Sequence, residues 1–310
     1  MNNAPKDFLD IDSFSQEELE TLLNNTVQMK EVFTRSVKKV PTLRGRTVLM
    51  LFYENSTRTS TSFEIAAKRL SADVTNFQVD RSSVQKGESI KETIDTLEAM
   101  RCDYVVVRHP MAGFAKNLAR LTNMSVINAG DGQHAHPTQA LLDAFTIREK
   151  FTDLAGKKIL IVGDVLHSRV ARSTSRILKK LGSEVAFLGP GSLMPKYSEF
   201  TCFTNYEEAQ AWGAEVVYLL RVQMERLEAP YFPSLTEYHK LYGITAERVA
   251  HLRDQGTYLM HPGPFNRGVE ICDEAVEYER CLINTQVENG VASRMSVLYA
   301  LKPNTPSYVA

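Results

Sequence analysis

A short apolar run that stops at a hydroxyl-rich turn and passes into a one-sided helix constrains this fold more than any other feature. Val48-Leu49-Met50-Leu51-Phe52-Tyr53 has the length and composition of a buried strand. Phe63, Ala66, Ala67 and Leu70 then recur at i, i+3, i+4 and i+7, one face of a helix. Ser56-Thr57-Arg58-Thr59-Ser60 lies between them, at a strand's carboxyl end and a helix's amino end. Backbone N–H groups there have no intrahelical partner, and the helix dipole favours an anion. Arg58 adds a planar fork suited to phosphate oxygens. A Ser or Thr at this point is most often a simple helix cap. One hydroxyl suffices for a cap, however, and a cap needs no arginine, so the local pattern supports two readings, a simple cap and a seat for a small phosphorylated ligand.

The same alternation recurs along the chain. Strands are expected at Asp73–Phe77, Tyr104–Val107, Val126–Asn128, Ile159–Val162, Glu184–Leu188, Val216–Leu220 and Tyr258–Met260. Helices are expected from the capping box Ser15-Gln16-Glu17-Glu18, around Ile90 to Met100, from Pro137, over Val170–Leu181 and over about Asn289–Leu301. Strands alternating with helices predict parallel sheets covered on both faces. At 310 residues the chain exceeds one ordinary core and fits two domains of about 150 residues. The expected fold is therefore α/β, with two doubly wound domains joined by helices near residues 137–155. The final helix can pack on either domain.

Composition narrows the function. With 43% hydrophobic and 24% charged residues the chain is globular, and a formal charge of −1 gives no global field for nucleic acid or membrane. No apolar run approaches the ~20 residues of a membrane span. Cys102, Cys202, Cys272 and Cys281 form no C-x-x-C pair and read as thiols in a reducing compartment. The first twenty residues show neither a signal-peptide nor a transit-peptide pattern, so the expected location is cytoplasmic.

Four strand ends carry conspicuous groups: Arg58/Thr59, Arg108, Arg221/Gln223 and His261-Pro262-Gly263-Pro264. Ligands of open parallel sheets sit beyond such ends. His136 follows a Gly-Asp-Gly turn and precedes a proline-started helix, with Gln139 one turn on; it is either a hydrogen-bonded structural histidine or a functional one. Ser82, Ser83 and Lys86 lie in a polar loop whose default reading is a solvated segment. Gly163-Asp164 lacks the glycines of a dinucleotide fingerprint. Arg169, at a helix start, is a surface charge or a ligand contact.

Together these blocks resemble one family. Phe52-Tyr53-Glu54-Asn55-Ser56-Thr57-Arg58-Thr59-Ser60 is similar to the carbamoyl-phosphate signature of the aspartate/ornithine carbamoyltransferases. Arg108-His109-Pro110, His136-Pro137-Thr138-Gln139, Arg221-Val222-Gln223 and His261-Pro262-Gly263-Pro264 resemble its other blocks, in order, from about residue 8 to 303. The resemblance implies a carbamoyl-phosphate-binding domain at 1–140 and an acceptor-binding domain at 141–288, with 289–310 able to pack back on the first. It implies a phosphate cradle of Ser56, Thr57, Arg58 and Thr59. Arg108, His136, Gln139 and the backbone of Gly263 and Pro264 are implied around the carbamoyl group. Ser82 and Lys86 match a loop that reaches a neighbouring subunit's site in this family, so a homotrimer is the smallest active unit implied.

Lys86, Arg169, Arg221 and Gln223 match the aspartate branch, since a dicarboxylate asks for paired cationic forks. Ornithine enzymes typically carry His-Cys-Leu-Pro where this chain has His261-Pro262-Gly263-Pro264; Gly263 also departs from the leucine of some aspartate enzymes. The reaction implied joins carbamoyl phosphate and L-aspartate into N-carbamoyl-L-aspartate and phosphate, the second step of pyrimidine biosynthesis. Carbamoyl phosphate carries about −2 charges at neutral pH, so converging cations suit a chain with little net charge. Thr59, Arg108 and His136 are expected to donate to the developing oxyanion, and Arg58 to stabilise the departing phosphate. No metal or cofactor is expected. Regulatory chains or dihydroorotase are possible larger partners. A transferase for another amine, a catalytically silent assembly partner and a nucleotide-binding regulatory module remain alternatives.

Overall fold

The computed structural model describes residues 5–77, 89–222 and 234–303. The chain divides into two compact units, one comprising residues up to Leu142 with those from Glu288 onward, the other Asp143–Val287.

The first unit opens with α1 (Gln16–Glu31), whose start is the expected capping box: the Ser15 hydroxyl accepts from Glu18 N–H and the Glu18 carboxylate from Ser15 N–H. Then follow β1 (Thr47–Phe52), α2 (Thr57–Arg69), β2 (Asp73–Phe77), α3 (Ile90–Ala99), β3 (Tyr104–His109), α4 (Phe114–Leu121) and β4 (Ser125–Asp131). All strand pairs are parallel, in the order β2-β1-β3-β4. Val48 to Leu51 are all buried, as a strand covered on both faces requires. Leu49, Leu51, Val105, Val107 and Val126 pack with Ile94, Leu97, Phe114 and Leu118 of α3 and α4.

Helix α5 (Pro137–Phe151) passes from the first unit into the second. The second sheet contains β5 (Lys158–Val162), β6 (Glu184–Leu188), β7 (Thr201–Phe203), β8 (Val216–Leu219) and β9 (Tyr258–Met260), all parallel, in the order β7-β6-β5-β8-β9. Between them lie α6 (Arg169–Lys180), α7 (Tyr206–Ala211), α8 (Leu235–Tyr242) and α9 (Ala246–Gln255); α10 (Asp273–Val276) and α11 (Ile283–Ala300) follow. The last helix starts six residues before the expected Asn289. In its return to the first unit the Ser296 hydroxyl donates to Leu22 C=O at 2.7 Å, and the Arg294 guanidinium lies 5.2 Å from the Phe63 ring centroid.

In each sheet the strand order reverses once, between β1 and β3 in the first and between β5 and β8 in the second. Neighbouring connections leave such a switch point on opposite faces, opening a crevice beyond the strands' carboxyl ends. Of the expected functional residues, Arg58 follows β1 and Arg108 lies at the end of β3, the two strands that flank the first switch point. Arg169 and Arg221 follow β5 and β8, the two that flank the second.

Asp143, fully buried where α5 enters the second unit, ties that unit together. It accepts from Tyr218 OH at 2.7 Å, Thr174 Oγ1 at 3.1 Å and Gln286 Nε2 at 2.8 Å. Removing the carboxylate takes a buried acceptor away from all three donors. Asp143→Ala is expected to lower unfolding free energy by about 3 kcal/mol, and Asp143→Asn by less. Urea titration followed by circular dichroism checks this; equal midpoints for Asp143→Ala and wild type would show the network carries no weight.

Candidate active site

In the first unit, three adjacent strands deliver the residues. β1 runs out at Phe52, and α2 begins at Thr57 with Ser56 as its N-cap residue. The Ser56 side chain makes no capping hydrogen bond. The simple-cap reading of this serine therefore fails, and its hydroxyl remains at the helix mouth with the first-turn N–H groups of Thr57, Arg58 and Thr59. Thr57 and Arg58 are exposed, and Thr59 is buried. The next hydroxyls are spent on the helix itself: Ser60 Oγ donates to Ser56 C=O, and Ser62 Oγ donates to Arg58 C=O at 2.6 Å.

β3 places Arg108 beside this turn. Phe52 pairs with Arg108 in the ladder, and Tyr53 N–H donates to Arg108 C=O at 2.9 Å. The half-buried Arg108 guanidinium donates from Nε to Glu54 Oε2 at 3.0 Å, with about the same shielding on both partners. Sequence reasoning missed Glu54, although it lies inside the quoted block. An acid bonded to the Nε of an arginine limits that arginine's rotamers.

β4 supplies the third arm. Its last residue, Asp131, is buried and pairs with His109 in the ladder. Asp131 accepts from Gly113 N–H at 2.7 Å, Asn128 Nδ2 at 2.9 Å and Ala135 N–H at 3.0 Å, and its Oδ2 lies 3.1 Å from His134 Nδ1. This carboxylate shapes the loop that delivers His136, which is buried immediately before the first residue of α5. Gln139 and Ala140 N–H groups both donate to His136 C=O, so Gln139, also buried, is held one turn along. Asp131 was missed as well, its partners being scattered over loops that pattern alone does not join.

The second unit repeats the plan on β5, β8 and β9. Gly163-Asp164 follows β5, and the buried Asp164 accepts from His167 N–H at 3.1 Å, with Oδ1 3.0 Å from His167 Nδ1. Burial raises the Asp164 carboxyl above its ordinary range, and the His167 contacts pull it back. Ser168 caps α6 by accepting from Ala171 N–H, and the buried Arg169 is the helix's first residue. Arg221, half-buried, stands two residues past β8. After β9, His261 N–H donates to Gln286 Oε1 at 3.0 Å, and His261 Nδ1 accepts from Gly263 N–H at 2.8 Å. Gly263 has φ +62° and precedes a cis bond to Pro264. That left-handed conformation favours glycine at this position. Ser82, Lys86 and Gln223 lie outside the described residues.

Cationic and hydroxyl side chains at the switch points of two parallel sheets define a two-domain α/β protein whose polar groups gather at strand carboxyl ends. Residues 6–149 match the carbamoyl-P binding domain of the aspartate/ornithine carbamoyltransferases, and residues 155–301 match their Asp/Orn binding domain. The chain belongs to this family. It is 62% identical to the aspartate carbamoyltransferase catalytic subunit of Akkermansia muciniphila over 307 residues, 98% of this chain and 99% of that one. Identity to the corresponding subunit of Endomicrobium trichonymphae is 50%, covering 96% of each chain. The aspartate transcarbamoylase of Trypanosoma cruzi, crystallised with carbamoyl phosphate and aspartate, superposes with a TM-score of 0.85 at 27% identity, covering 96% of this chain and 97% of that one.

His109 gives the first-unit site a pH signature. Its ring stacks on Phe114 at 3.7 Å and 3°, and its Nδ1 accepts from Met111 N–H at 2.9 Å. Burial lowers its pKa below the ordinary value, against the opposing pull of Glu54 and Asp131. On acidification the unfolded chain takes this proton first, so the contribution is whole above the ordinary value near 6.5 and declines as pH falls towards the folded value. The loss of stability between pH 7.5 and 5.5 is expected to be smaller in His109→Asn than in wild type, by urea midpoints at each pH. Identical losses would refute the assignment.

Proposed function

We propose that this chain transfers the carbamoyl group of carbamoyl phosphate to the amine of L-aspartate, releasing phosphate and N-carbamoyl-L-aspartate. The observation that carries the reading is the mouth of α2: a hydroxyl not spent on capping, first-turn amides and Arg58, beside Arg108 on the adjacent strand. The identity to aspartate carbamoyltransferase catalytic subunits over nearly the whole chain supports the same acceptor.

In this reading the unit up to Leu142 binds carbamoyl phosphate. Ser56, Thr57, Arg58 and Thr59 cradle the phosphate. Arg108, His136 and Gln139, with the Gly263 and Pro264 backbone, surround the carbamoyl group. The Asp143–Val287 unit offers Arg169 and Arg221 to the aspartate carboxylates, with Gln223 and Lys86 assisting. The neutral amine attacks the carbamoyl carbon while Thr59, Arg108 and His136 donate to the oxygen on which charge develops. The C–O bond to phosphate then breaks, Arg58 stabilises the leaving dianion, and a phosphate oxygen takes the amine proton. His136 thus serves as a hydrogen-bond donor and not as a base.

The reading extends to a homotrimer in which the Ser82/Lys86 loop serves a neighbour's site, to a cytoplasmic location and to the second step of pyrimidine synthesis. Among the described residues no helix is long and apolar enough to cross a membrane.

The test is carbamoyl transfer to L-aspartate and, separately, to L-ornithine. Carbamoyl-aspartate formation is expected, with kcat lowered about 10²–10³-fold in His136→Ala and at least as far in Arg58→Ala. Ornithine as the preferred acceptor would overturn the specificity, and a normal kcat in His136→Ala would remove it from the oxyanion site.

A further inference from the structure

The segment bearing Arg221 leaves the sheet. Leu220 N–H still donates to Val162 C=O at 2.8 Å, but β8 has ended and the chain needs other partners from there on. Val222 finds them in Glu270 and Asn266. Its N–H donates to Glu270 Oε1 at 2.7 Å, and its C=O accepts from Asn266 Nδ2 at 3.3 Å. The same Glu270 oxygen accepts from Asn266 Nδ2 at 2.9 Å, and Oε2 accepts from Asn266 N–H at 2.6 Å. Arg221 is thereby held on both sides, by the sheet through Leu220 and by a carboxylate clamp through Val222.

Glu270 is itself fixed. It is 1% exposed, and its own C=O accepts from Ile244 N–H at 2.9 Å. Val222 and Val269, on either side of the clamp, pack with the buried Tyr238. Burial pushes the Glu270 carboxyl up, while the amides of Val222 and Asn266 pull it back. Three N–H donors converge on its two oxygens, an arrangement that suits the ionised form, which only accepts. An apolar side chain of the same size would fill the space but leave these donors unsatisfied. The clamp also joins the strand end bearing Arg221 to the loop that continues from His261-Pro262-Gly263-Pro264.

We propose that Glu270 is a positioning residue for acceptor binding, its carboxylate fixing the backbone from which Arg221 extends by holding the Val222 and Asn266 amides. The inference rests on the reading of Arg221 as an aspartate contact. Glu270 touches neither substrate nor the reacting atoms and acts through Arg221.

Steady-state kinetics of the full-length enzyme with both substrates varied tests it, using Glu270→Gln, Asn266→Ala and Arg221→Ala. Glu270→Gln keeps the size but turns an NH2 group towards an amide N–H. The aspartate KM is expected to rise at least about tenfold, while the carbamoyl phosphate KM and kcat at saturating aspartate stay within about threefold. Adding Arg221→Ala to Glu270→Gln is expected to cost less than the sum of the two single effects. Asn266→Ala, which leaves the carboxylate in place, is expected to show the same split with a smaller factor, and it decides the matter if Glu270→Gln does not fold. An unchanged aspartate KM in the clamp variants, with a raised one in Arg221→Ala, would overturn the positioning role alone. An unchanged KM in Arg221→Ala would instead overturn the reading beneath it. Parallel loss of kcat and of affinity for both substrates in the clamp variants would show a merely structural role.

Discussion

Parallel strand pairing is the constraint on which the rest depends. Every strand in each sheet points the same way, so every carboxyl end lies on one edge and the amino end of a following helix is brought to it. Unpaired amides and the positive end of a helix dipole accumulate there without any charged residue being needed. With a formal net charge of only −1, an anion site in this chain has to be built from this geometry and from a few arginines placed beside it. Reversal of strand order between β1 and β3, and again between β5 and β8, gives each unit one crevice where such groups gather.

Backbone geometry alone would leave the loops at those ends loosely defined. Buried or half-buried carboxylates supply the missing order, each in the same manner. Asp131 gathers three N–H donors around the loop before His136, Asp164 accepts from the turn before Arg169, and Glu270 closes on the segment after Arg221. Glu54 does the equivalent for a side chain by accepting from Arg108 Nε. An acid within a candidate anion site looks misplaced if only net charge is considered. Its electrostatic cost is offset because each carboxylate is satisfied by hydrogen bonds, so that its charge is directed at the donors it organises.

This division explains what the sequence discloses. Strands such as Val48–Leu51 and Val105–Val107 are apolar on both faces, and Ser15 to Glu18 carry a local capping pattern, so these elements are legible over a few residues. β7, only Thr201–Phe203, is a largely exposed edge strand with no apolar run to announce it, and α4 starts behind Gly113 with no side-chain cap. The early start of α11 is set by contacts such as the Gln286 bonds to Asp143 and His261, and Asp143 lies 143 residues away in sequence. Glu270 sits in an unremarkable polar stretch, yet its first partner is 48 residues upstream. Which residues stand at strand ends can be read locally; what holds them there cannot.

The two kinds of element therefore tolerate change differently. An apolar strand residue can be exchanged for another of similar volume, because packing asks chiefly for size and hydrophobicity. A clamp carboxylate has no such substitute: even its amide isostere replaces an acceptor with a donor in front of N–H groups that already donate. Asp131 and Glu270 thus constrain the chain at single positions as narrowly as the residues whose segments they hold. Losing such an acid would reorient a strand-end segment while the sheet beneath it, held by its own ladder, stays in place.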